Sequence, residues 1–183
     1  MPTLKIYRDE QKIPLPLYYQ AETFIRIEWI DSDDYEIDGG LAEPAIQVAV
    51  SEGNLLIAYA AIIWLDIEHT DETYHCYGLN SVFTFAEYRR RGFGGQVVEA
   101  ATATIQQQPG ADIALLWAAP KDVGFYEKYG WRAMHEMTTL MGDPDSPDVY
   151  IDEVAMMLFV SQKAQGNMQD FVSGRIYVGD EPW

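Results

Sequence analysis

Cysteine is almost absent from this chain of 183 residues, in which Cys76 is the single example. One cysteine cannot form an intramolecular disulfide bond, so the sequence fits a reducing, cytoplasmic setting. No residue pattern around Cys76 is typical of a nucleophile, and we expect a small packed side chain there. The histidines show no metal-ligand spacing with one another or with Cys76, which argues against a metal site.

Positive charge is also scarce. The chain has 12 lysines and arginines against 29 aspartates and glutamates, and its formal net charge is −17. This balance disfavours nucleic acid or an anionic membrane as the main partner, because both attract net-basic surfaces. No segment is long enough to span a bilayer, and residues 1–10 contain no apolar stretch of signal-peptide length. A cationic acceptor is compatible with this charge, although many acidic chains are acidic only for solubility.

The composition is that of a folded globular protein, with 48% hydrophobic and 13% aromatic residues. The length predicts one domain over residues 1–183. Two apolar runs, residues 45–50 and 55–65, flank Ser51-Glu52-Gly53-Asn54 and predict a β-hairpin. Further strands are predicted at residues 4–7, 23–30, 74–85, 113–117, 154–160 and 174–178.

From Gly92 the hydrophobic period becomes helical. One helical face carries Phe93, Val97, Val98, Ala101 and Ile105. The helix is predicted to end at Pro109-Gly110, and a second helix is predicted over residues 120–129. Residues 142–149 and 161–170 are predicted to be loops. Strands, helix, strand, helix and strands in this order predict a mixed α/β or α+β sheet protein.

The most informative segment holds three arginines and three glycines where the first of these helices begins. A helix N-terminus presents unpaired N–H groups and partial positive charge, and glycines allow close approach of a phosphate. The local prediction is a pyrophosphate-binding turn. A P-loop is excluded because Gly-Lys followed by Ser or Thr is missing. A Rossmann motif is excluded because Val97 stands where its third glycine is required.

The stretch from Val82 to Gly94 resembles the strand-to-helix motif of the GNAT superfamily of N-acetyltransferases. Downstream, Phe125-Tyr126-Glu127-Lys128-Tyr129-Gly130-Trp131 is similar to the Phe-Tyr-Glu-Lys-Leu-Gly-Phe segment of the same superfamily. One helix and one strand lie between the two motifs, in the expected order. The resemblance implies the GNAT fold, with a central mixed, mostly antiparallel sheet flanked by helices. It also implies acetyl-CoA as co-substrate.

The resemblance assigns the cofactor contacts to main-chain groups. Those of Val82, Phe83 and Thr84 would pair with the pantetheine arm like an added strand. The pyrophosphate would be held by backbone N–H groups of Arg89, Arg90, Arg91, Gly92, Phe93, Gly94 and Gly95. Backbone N–H groups near Thr84, where two strands splay in this fold, would polarise the thioester carbonyl. The alternative for Arg89 to Gly95 is a solvated turn that binds no cofactor and is only capped by the glycines.

Tyr126 is the side chain to which the resemblance gives a catalytic role. The tyrosine of the second motif often protonates the departing CoA thiolate. The alternative is an aromatic residue that packs with Phe125 or Tyr129. One departure from the family is Ala119, which occupies the position of an asparagine that often contacts the cofactor.

A narrower resemblance, to aminoglycoside 2′-N-acetyltransferases, rests on residues 56–63 and on the ending Gly179-Asp180-Glu181-Pro182-Trp183. It implies that acidic groups hold a polycationic acceptor. The acidic candidates are Asp152, Asp180, the carboxylate of Trp183 and residues 31–38. Asn80 stands where that group places a general base, and an amide cannot take a proton from an ammonium ion.

Together these observations predict an acetyl-CoA-dependent N-acetyltransferase. An amine of a small-molecule acceptor would attack the thioester directly, Tyr126 would be the general acid, and Asn80 would orient a water or the acceptor. Neither nucleic acid nor a membrane is expected as a partner. Family analogy and the prevalence of symmetric dimers favour a homodimer. The alternative function is a non-catalytic acyl-CoA-binding sensor or interaction module.

Overall fold

The structure is a computed structural model that describes residues 1–8, 10–29 and 45–179. In these residues the strands are β1 Thr3–Tyr7, β2 Ile46–Glu52, β3 Leu55–His69, β4 Glu72–Thr84, β5 Ile113–Ala118, β6 Arg132–Ala133, β7 Thr138–Met141, β8 Asp148–Tyr150, β9 Val154–Phe159 and β10 Arg175–Tyr177. The α-helices are α1 Leu15–Trp29, α2 Phe93–Gln106, α3 Val123–Glu127, α4 Gln162–Gly166 and α5 Met168–Val172. A 3₁₀ turn, Ala86–Tyr88, connects β4 to the start of α2.

The strands form a mixed, mostly antiparallel sheet flanked by helices, as predicted. Their hydrogen-bonded order is β1-β2-β3-β4-β5-β9-β6. The parallel pair is β4 with β5, in register from Cys76 opposite Ile113 to Gly78 opposite Leu115. A second sheet has the order β10-β7-β8, and its β10 and β7 are parallel. The predicted hairpin of residues 45–50 and 55–65 is confirmed as β2 and β3.

Contacts between residues divide the chain into two compact units. The first unit is Met1–Ile63 with Asn80–Ala101, and the second is Trp64–Leu79 with the chain from Thr102 onward. Strands β3 and β4 and helix α2 contribute residues to both. Within the described part of the chain, no helix has the length and apolar character required to cross a membrane.

The core of the first unit lies between α1 and the strands. Leu17 and Ala21 of α1 are buried against Leu56 and Tyr59 of β3. Gln20 ties the helix to the β2–β3 turn, because its amide nitrogen donates to the Asn54 carbonyl at 2.7 Å. Its amide oxygen accepts from the backbone N–H of Leu56 at 3.1 Å. Helix α1 is therefore fixed to the hairpin by both apolar packing and paired hydrogen bonds.

The strand predicted at residues 23–30 is wrong, because residues up to Trp29 continue helix α1. Its β-branched and aromatic residues also fit a strand, which explains the error. However, the carbonyl of Pro14 accepts hydrogen bonds from Leu17 and Tyr18, which begins the helix further upstream. The four-residue spacing of Leu17 and Ala21 then places one helical face in the core. Tertiary burial decides the structure over local strand propensity.

The core of the second unit is built around Phe171 of α5, which is fully buried. Its ring stacks on His69 with centroids 4.2 Å apart and meets Tyr74 edge-on at 5.0 Å. Cys76 lies in the same cluster, and burial raises the pKa of its thiol. The predicted packed role of Cys76 is therefore confirmed.

Asp112, just before β5, is a polar anchor of the second unit. One carboxylate oxygen accepts from the Ser161 hydroxyl at 2.6 Å, and the other accepts from the His75 N–H at 3.1 Å. Lys163 lies 3.0 Å from the same carboxylate. Burial alone would raise the pKa of Asp112, but the hydrogen bonds from Ser161, Lys163 and His75 lower it. The carboxylate thereby joins β4, the start of β5 and the end of β9.

Two predicted loops contain regular structure. Residues 161–170 form α4 and the first part of α5, and the Ser161 hydroxyl caps α4 by accepting from the Ala164 N–H at 3.1 Å. Residues 142–149 include the start of β8, and β7 was not predicted at all. The helix predicted over residues 120–129 is shorter, Val123–Glu127. Short elements of this kind carry too few periodic positions to be recognised in a sequence.

A buried hydroxyl without a partner gives the first prediction. Among the described residues, the Tyr59 hydroxyl has no hydrogen-bond partner, although its side chain is fully buried. Tyr59→Phe should raise the free energy of unfolding by about 1 kcal/mol, because an unsatisfied buried polar group is removed. Tyr74 is equally buried, but its hydroxyl accepts from Asn167 at 2.9 Å. Tyr74→Phe should therefore lower the free energy of unfolding by about 1 kcal/mol. If urea unfolding shows that both variants change this free energy in the same direction, the explanation is wrong.

The Asp112 anchor gives a second prediction, on pH. Because its folded-state pKa is lowered, its stabilisation is present above the unfolded-state pKa and is lost as the pH falls through the folded-state value. Asp112→Asn should reduce the free energy of unfolding by about 1–3 kcal/mol at neutral pH, and by less as the pH falls below about 4. Asp66→Asn is the control, since the Asp66 side chain is 67% exposed beside His75. It should change stability by less than about 0.5 kcal/mol.

Candidate functional site

The end of β4 departs from a regular strand at Ser81, whose φ is +52°. This left-handed conformation is unfavourable for a residue with a β-carbon. The Ser81 hydroxyl donates to the side-chain oxygen of Asn80 at 3.0 Å. β4 nevertheless continues through Ser81 to Thr84, and the Phe85 N–H still donates to the Ile57 carbonyl of β3 at 3.0 Å.

Val82, Phe83 and Thr84 are the last residues of β4. The Phe83 ring is buried and stacks on Phe24 of α1, with centroids 4.2 Å apart. The Phe83 side chain is thus part of the core of the first unit, and the main chain of this residue is what remains for a ligand. The Thr84 carbonyl accepts from the Arg89 guanidinium at 2.9 Å, which closes the turn that follows the strand.

The turn into α2 has two further residues in left-handed conformations. Arg90 has φ +61° and Gly92 has φ +86°. A β-carbon at Gly92 would meet no atom within 4 Å, so glycine is favoured there by backbone conformation and not by crowding. The turn brings Arg91 over the Tyr88 ring, with the guanidinium carbon 5.5 Å from the ring centroid.

The arginines of this turn are unusual in a chain with net charge −17. Arg89, Arg90 and Arg91 are exposed, and within the described residues none of them forms an ion pair with a carboxylate. Because no described carboxylate forms an ion pair with these guanidinium groups, they are available to bind an anion at this turn. Phosphate oxygens are well suited to such groups, since Arg makes strong, charge-assisted hydrogen bonds to them.

The first turn of α2 supplies backbone donors to the same place. Gln96 donates to the Gly92 carbonyl at 3.1 Å, which is the first backbone bond of the helix. The N–H groups of Phe93, Gly94 and Gly95 precede it, and a helix offers no internal acceptor to such groups. Together with the positive end of the helix dipole, they form a site that fits a pyrophosphate. Val97 and Val98 are fully buried and hold this end of the helix.

Tyr126, in the second unit, lies on the short helix α3. Its ring is half-buried and meets Phe125 edge-on, with centroids 5.0 Å apart. Burial raises the pKa of its hydroxyl well above the ordinary value, and the charges of Asp122 and Glu153 raise it further. Tyr126 therefore keeps its proton through the neutral range and is suited to donate a hydrogen bond.

Glu153, whose charge acts on Tyr126, is paired with a second tyrosine, and the sequence did not indicate either residue. The Tyr150 hydroxyl donates to a carboxylate oxygen of Glu153 at 3.2 Å. Burial, the charge and the hydrogen bond of Glu153, and the charge of Asp152 raise the pKa of Tyr150 to about 12. No motif marks these residues, and the only signal in the sequence was the acidic pair Asp152-Glu153 before an apolar strand.

The other predicted acceptor residues are only partly described. Asp152 is exposed, directly before Glu153. Asp180, Trp183 and residues 31–38 lie outside the described residues. Ala119 stands between β5 and α3, where its carbonyl accepts from the Asp122 N–H at 2.8 Å. Among the described residues, no group of three or more His, Cys, Asp or Glu side chains is arranged to bind a metal ion.

Comparison with protein families identifies the class of this chain. Residues 31–134 match the model of the acetyltransferase (GNAT) domain, and the chain belongs to this family. The matched range includes both the turn of residues 89–95, which we call the Arg/Gly turn, and the second motif, residues 125–131. The protein is therefore an acyltransferase. Among curated proteins, none matches the chain.

Solved structures show the same fold at low sequence identity. The Escherichia coli GNAT family N-acetyltransferase YhbS, in complex with CoA, has a TM-score of 0.61 and 14% identity, covering 96% of this chain and 88% of its own. Escherichia coli ElaA has a TM-score of 0.60 and 15% identity, covering 86% and 99%. Arabidopsis thaliana NAA60, in complex with acetyl-CoA, has a TM-score of 0.58 and 11% identity, covering 86% and 100%.

Proposed function

We propose that this protein transfers an acetyl group from acetyl-CoA to a primary amine of a small, cationic acceptor. The observation that carries the proposal is the turn into α2, where arginines that form no ion pair with the described carboxylates meet open backbone N–H groups in an otherwise acidic chain. In a GNAT domain this combination suits the pyrophosphate of CoA. The single domain over residues 1–183, the cytoplasmic location and the homodimer stay predictions.

The main chain provides the cofactor contacts in this proposal. Backbone groups of Val82, Phe83 and Thr84 pair with the pantetheine arm, in the manner of an added strand. The N–H groups and side chains from Arg89 to Gly95 hold the pyrophosphate. The left-handed residue Ser81 supports this assignment, because it distorts the backbone of β4 directly before the segment that would pair with the ligand.

Tyr126 is the proposed acid. The amine attacks the thioester carbonyl carbon, the carbon–sulfur bond breaks, and the sulfur receives a proton from the Tyr126 hydroxyl. The raised pKa of Tyr126 supports donation but makes complete transfer to a thiolate unfavourable, because an ordinary thiol has a pKa of about 8.5. The Tyr126 hydroxyl therefore first stabilises the developing thiolate by a hydrogen bond, and it gives its proton to the sulfur as the acceptor nitrogen supplies a proton to the phenol oxygen.

Acidic groups of the chain are proposed to hold the acceptor. Asp152, with Asp180 and the Trp183 carboxylate, is proposed to attract an ammonium-bearing substrate of the aminoglycoside kind. The net negative charge of the chain favours a cationic acceptor. Asp152 is exposed, so its carboxylate is accessible to such an acceptor.

A second candidate function is acyl-CoA binding without catalysis. Two residues favour it. Asn80 replaces a base and its amide oxygen accepts a hydrogen bond from Ser81, while Ala119 lacks the amide that often contacts the cofactor. In this case acetyl-CoA would bind, and no amine would release CoA from it.

Gly92→Ala tests the pyrophosphate site. The substitution places a β-carbon at φ +86° and should cost about 1 kcal/mol in stability. Because the turn must shift to relieve this strain, acetyl-CoA affinity should fall at least ~10-fold. Gly53→Ala is the matched control, with φ +59° and open space in the β2–β3 turn. It should lose similar stability and keep its affinity by calorimetry, and equal affinity losses in both variants would contradict the assignment.

Turnover against a panel of primary amines tests catalysis. Wild type should release CoA, and acetyl-CoA at ~100 times its Kd should add about 2.7 kcal/mol to its stability. Tyr126→Phe should bind acetyl-CoA equally and lose about 10²–10⁴-fold in kcat. The loss should be constant up to about pH 10, since the raised pKa keeps the wild-type phenol protonated below that value.

Tyr129→Phe is the control for this variant, because Tyr129 packs on the same Phe125 ring with centroids 5.5 Å apart. It should leave kcat unchanged. Full activity in Tyr126→Phe would remove the assigned acid. Binding of acetyl-CoA without release of CoA to any amine would favour the non-catalytic candidate.

A further inference from the structure

Helix α3 and the segment before β9 are placed together by the sheet of the second unit. Val154, the first residue of β9, is in register with Ala118, the last residue of β5. Glu153 therefore stands at the carboxyl end of β5, the same end from which the chain continues into α3 and Tyr126. The topology brings a carboxylate to the strand end that precedes the proposed acid.

The side chain of Glu153 is oriented but not neutralised. Tyr150 donates to it at 3.2 Å, and Tyr150 itself packs against the core of the second unit. Within the described residues, no lysine, arginine or histidine forms an ion pair with Glu153. By contrast, the anchoring carboxylate Asp112 has Lys163 at 3.0 Å. The Glu153 carboxylate, whose hydrogen bond among the described residues comes from one neutral donor, has acceptor capacity left for a further donor or cation.

We propose that Glu153 is the base that binds the acceptor ammonium and takes its proton, and that Tyr150 positions it. This inference rests on the proposed function and supplies the group that Asn80 cannot provide. The electrostatic influence of Glu153 on the Tyr126 hydroxyl supports the placement of both groups at one reaction centre.

The proton balance is complete with these two groups. A primary ammonium loses one proton to the Glu153 carboxylate, which passes it to solvent. The neutral nitrogen then attacks the thioester carbonyl, a carbon–nitrogen bond forms and the carbon–sulfur bond breaks. The second proton of the nitrogen replaces the one that Tyr126 gives to the sulfur. The products are the N-acetylated amine, CoA with a free thiol, and one proton in solution.

The test compares Glu153→Gln with wild type on two amines of similar size. Ethylamine is an ammonium ion near neutral pH, whereas trifluoroethylamine is already neutral there. For ethylamine, Glu153→Gln should lower kcat/KM at least ~100-fold, because the proton acceptor is lost. For trifluoroethylamine the loss should shrink to a few-fold, roughly that of a lost hydrogen bond. Acetyl-CoA affinity, measured by calorimetry, should stay within about twofold of wild type.

Two further variants separate catalysis from structure. Glu136→Gln removes an exposed carboxylate of the same unit and should behave as wild type with both amines. Tyr150→Phe keeps the carboxylate and should lower kcat/KM roughly tenfold, with a shift in the acid limb of its pH profile that Glu136→Gln does not show. Equal losses for both amines in Glu153→Gln would mean that the residue is structural.

The outcomes separate the assignment of Glu153 from the proposed function. Wild-type turnover together with an unimpaired Glu153→Gln would overturn the assignment of Glu153 and leave the proposed function intact. Binding of acetyl-CoA by wild type without turnover of either amine or of any amine of the panel would overturn the proposed function, and the base with it.

Discussion

The backbone between Ser81 and Gly92 is the constraint on which the candidate site depends. It enters the left-handed region at Ser81, at Arg90 and at Gly92. Two of these residues carry a β-carbon, and each such conformation costs about 1–2 kcal/mol. The strain is maintained because both ends are fixed, by Phe83 in the core of the first unit and by Val97 and Val98 at the start of α2. The Arg89 guanidinium closes the turn on the Thr84 carbonyl. A rigid turn keeps its N–H groups and cations in place before any ligand arrives.

In the second unit, polar side chains connect the strands around a largely apolar core. Asp112 joins β4, β5 and β9 through hydrogen bonds and an ion pair. Trp117 donates to the Thr139 hydroxyl at 3.1 Å, which connects β5 to the small sheet. These links fix both ends of β5, and Glu153, which directly precedes β9, is thereby placed at a well-defined strand end.

Much of this fold is readable in the sequence because it depends on long, periodic runs. The β2–β3 hairpin, the strand β4 and the helix α2 follow from alternation, turn residues and a change of period. The helix α1 was missed because Phe24, Ile25 and Ile27 favour a strand locally, and only packing of Leu17 and Ala21 shows the helical face. The short helices α4 and α5 and the strands β7 and β8 were missed because three to five residues give no period to detect.

The candidate site divides in the same way. The Arg/Gly turn and Tyr126 belong to contiguous motifs, so the sequence indicates them. Ser81 was not indicated, because nothing in its neighbours predicts a positive φ inside a strand. Glu153 and Tyr150 were not indicated either, because no motif marks them and the position of Glu153 at the end of β5 depends on the register of β9 against β5, which joins parts of the chain that are distant in sequence.

Cys76 has a practical consequence for the study of this protein. It is the single thiol of the chain, it is fully buried, and burial keeps it protonated. Thiol-reactive dyes require an accessible thiolate, so we expect that they do not react with Cys76 in the folded protein. Any CoA that the protein releases can then be followed continuously by its own thiol, with no background from the enzyme. When labelling of Cys76 itself is observed, it reports transient opening of the core of the second unit, so one reagent measures both catalysis and unfolding.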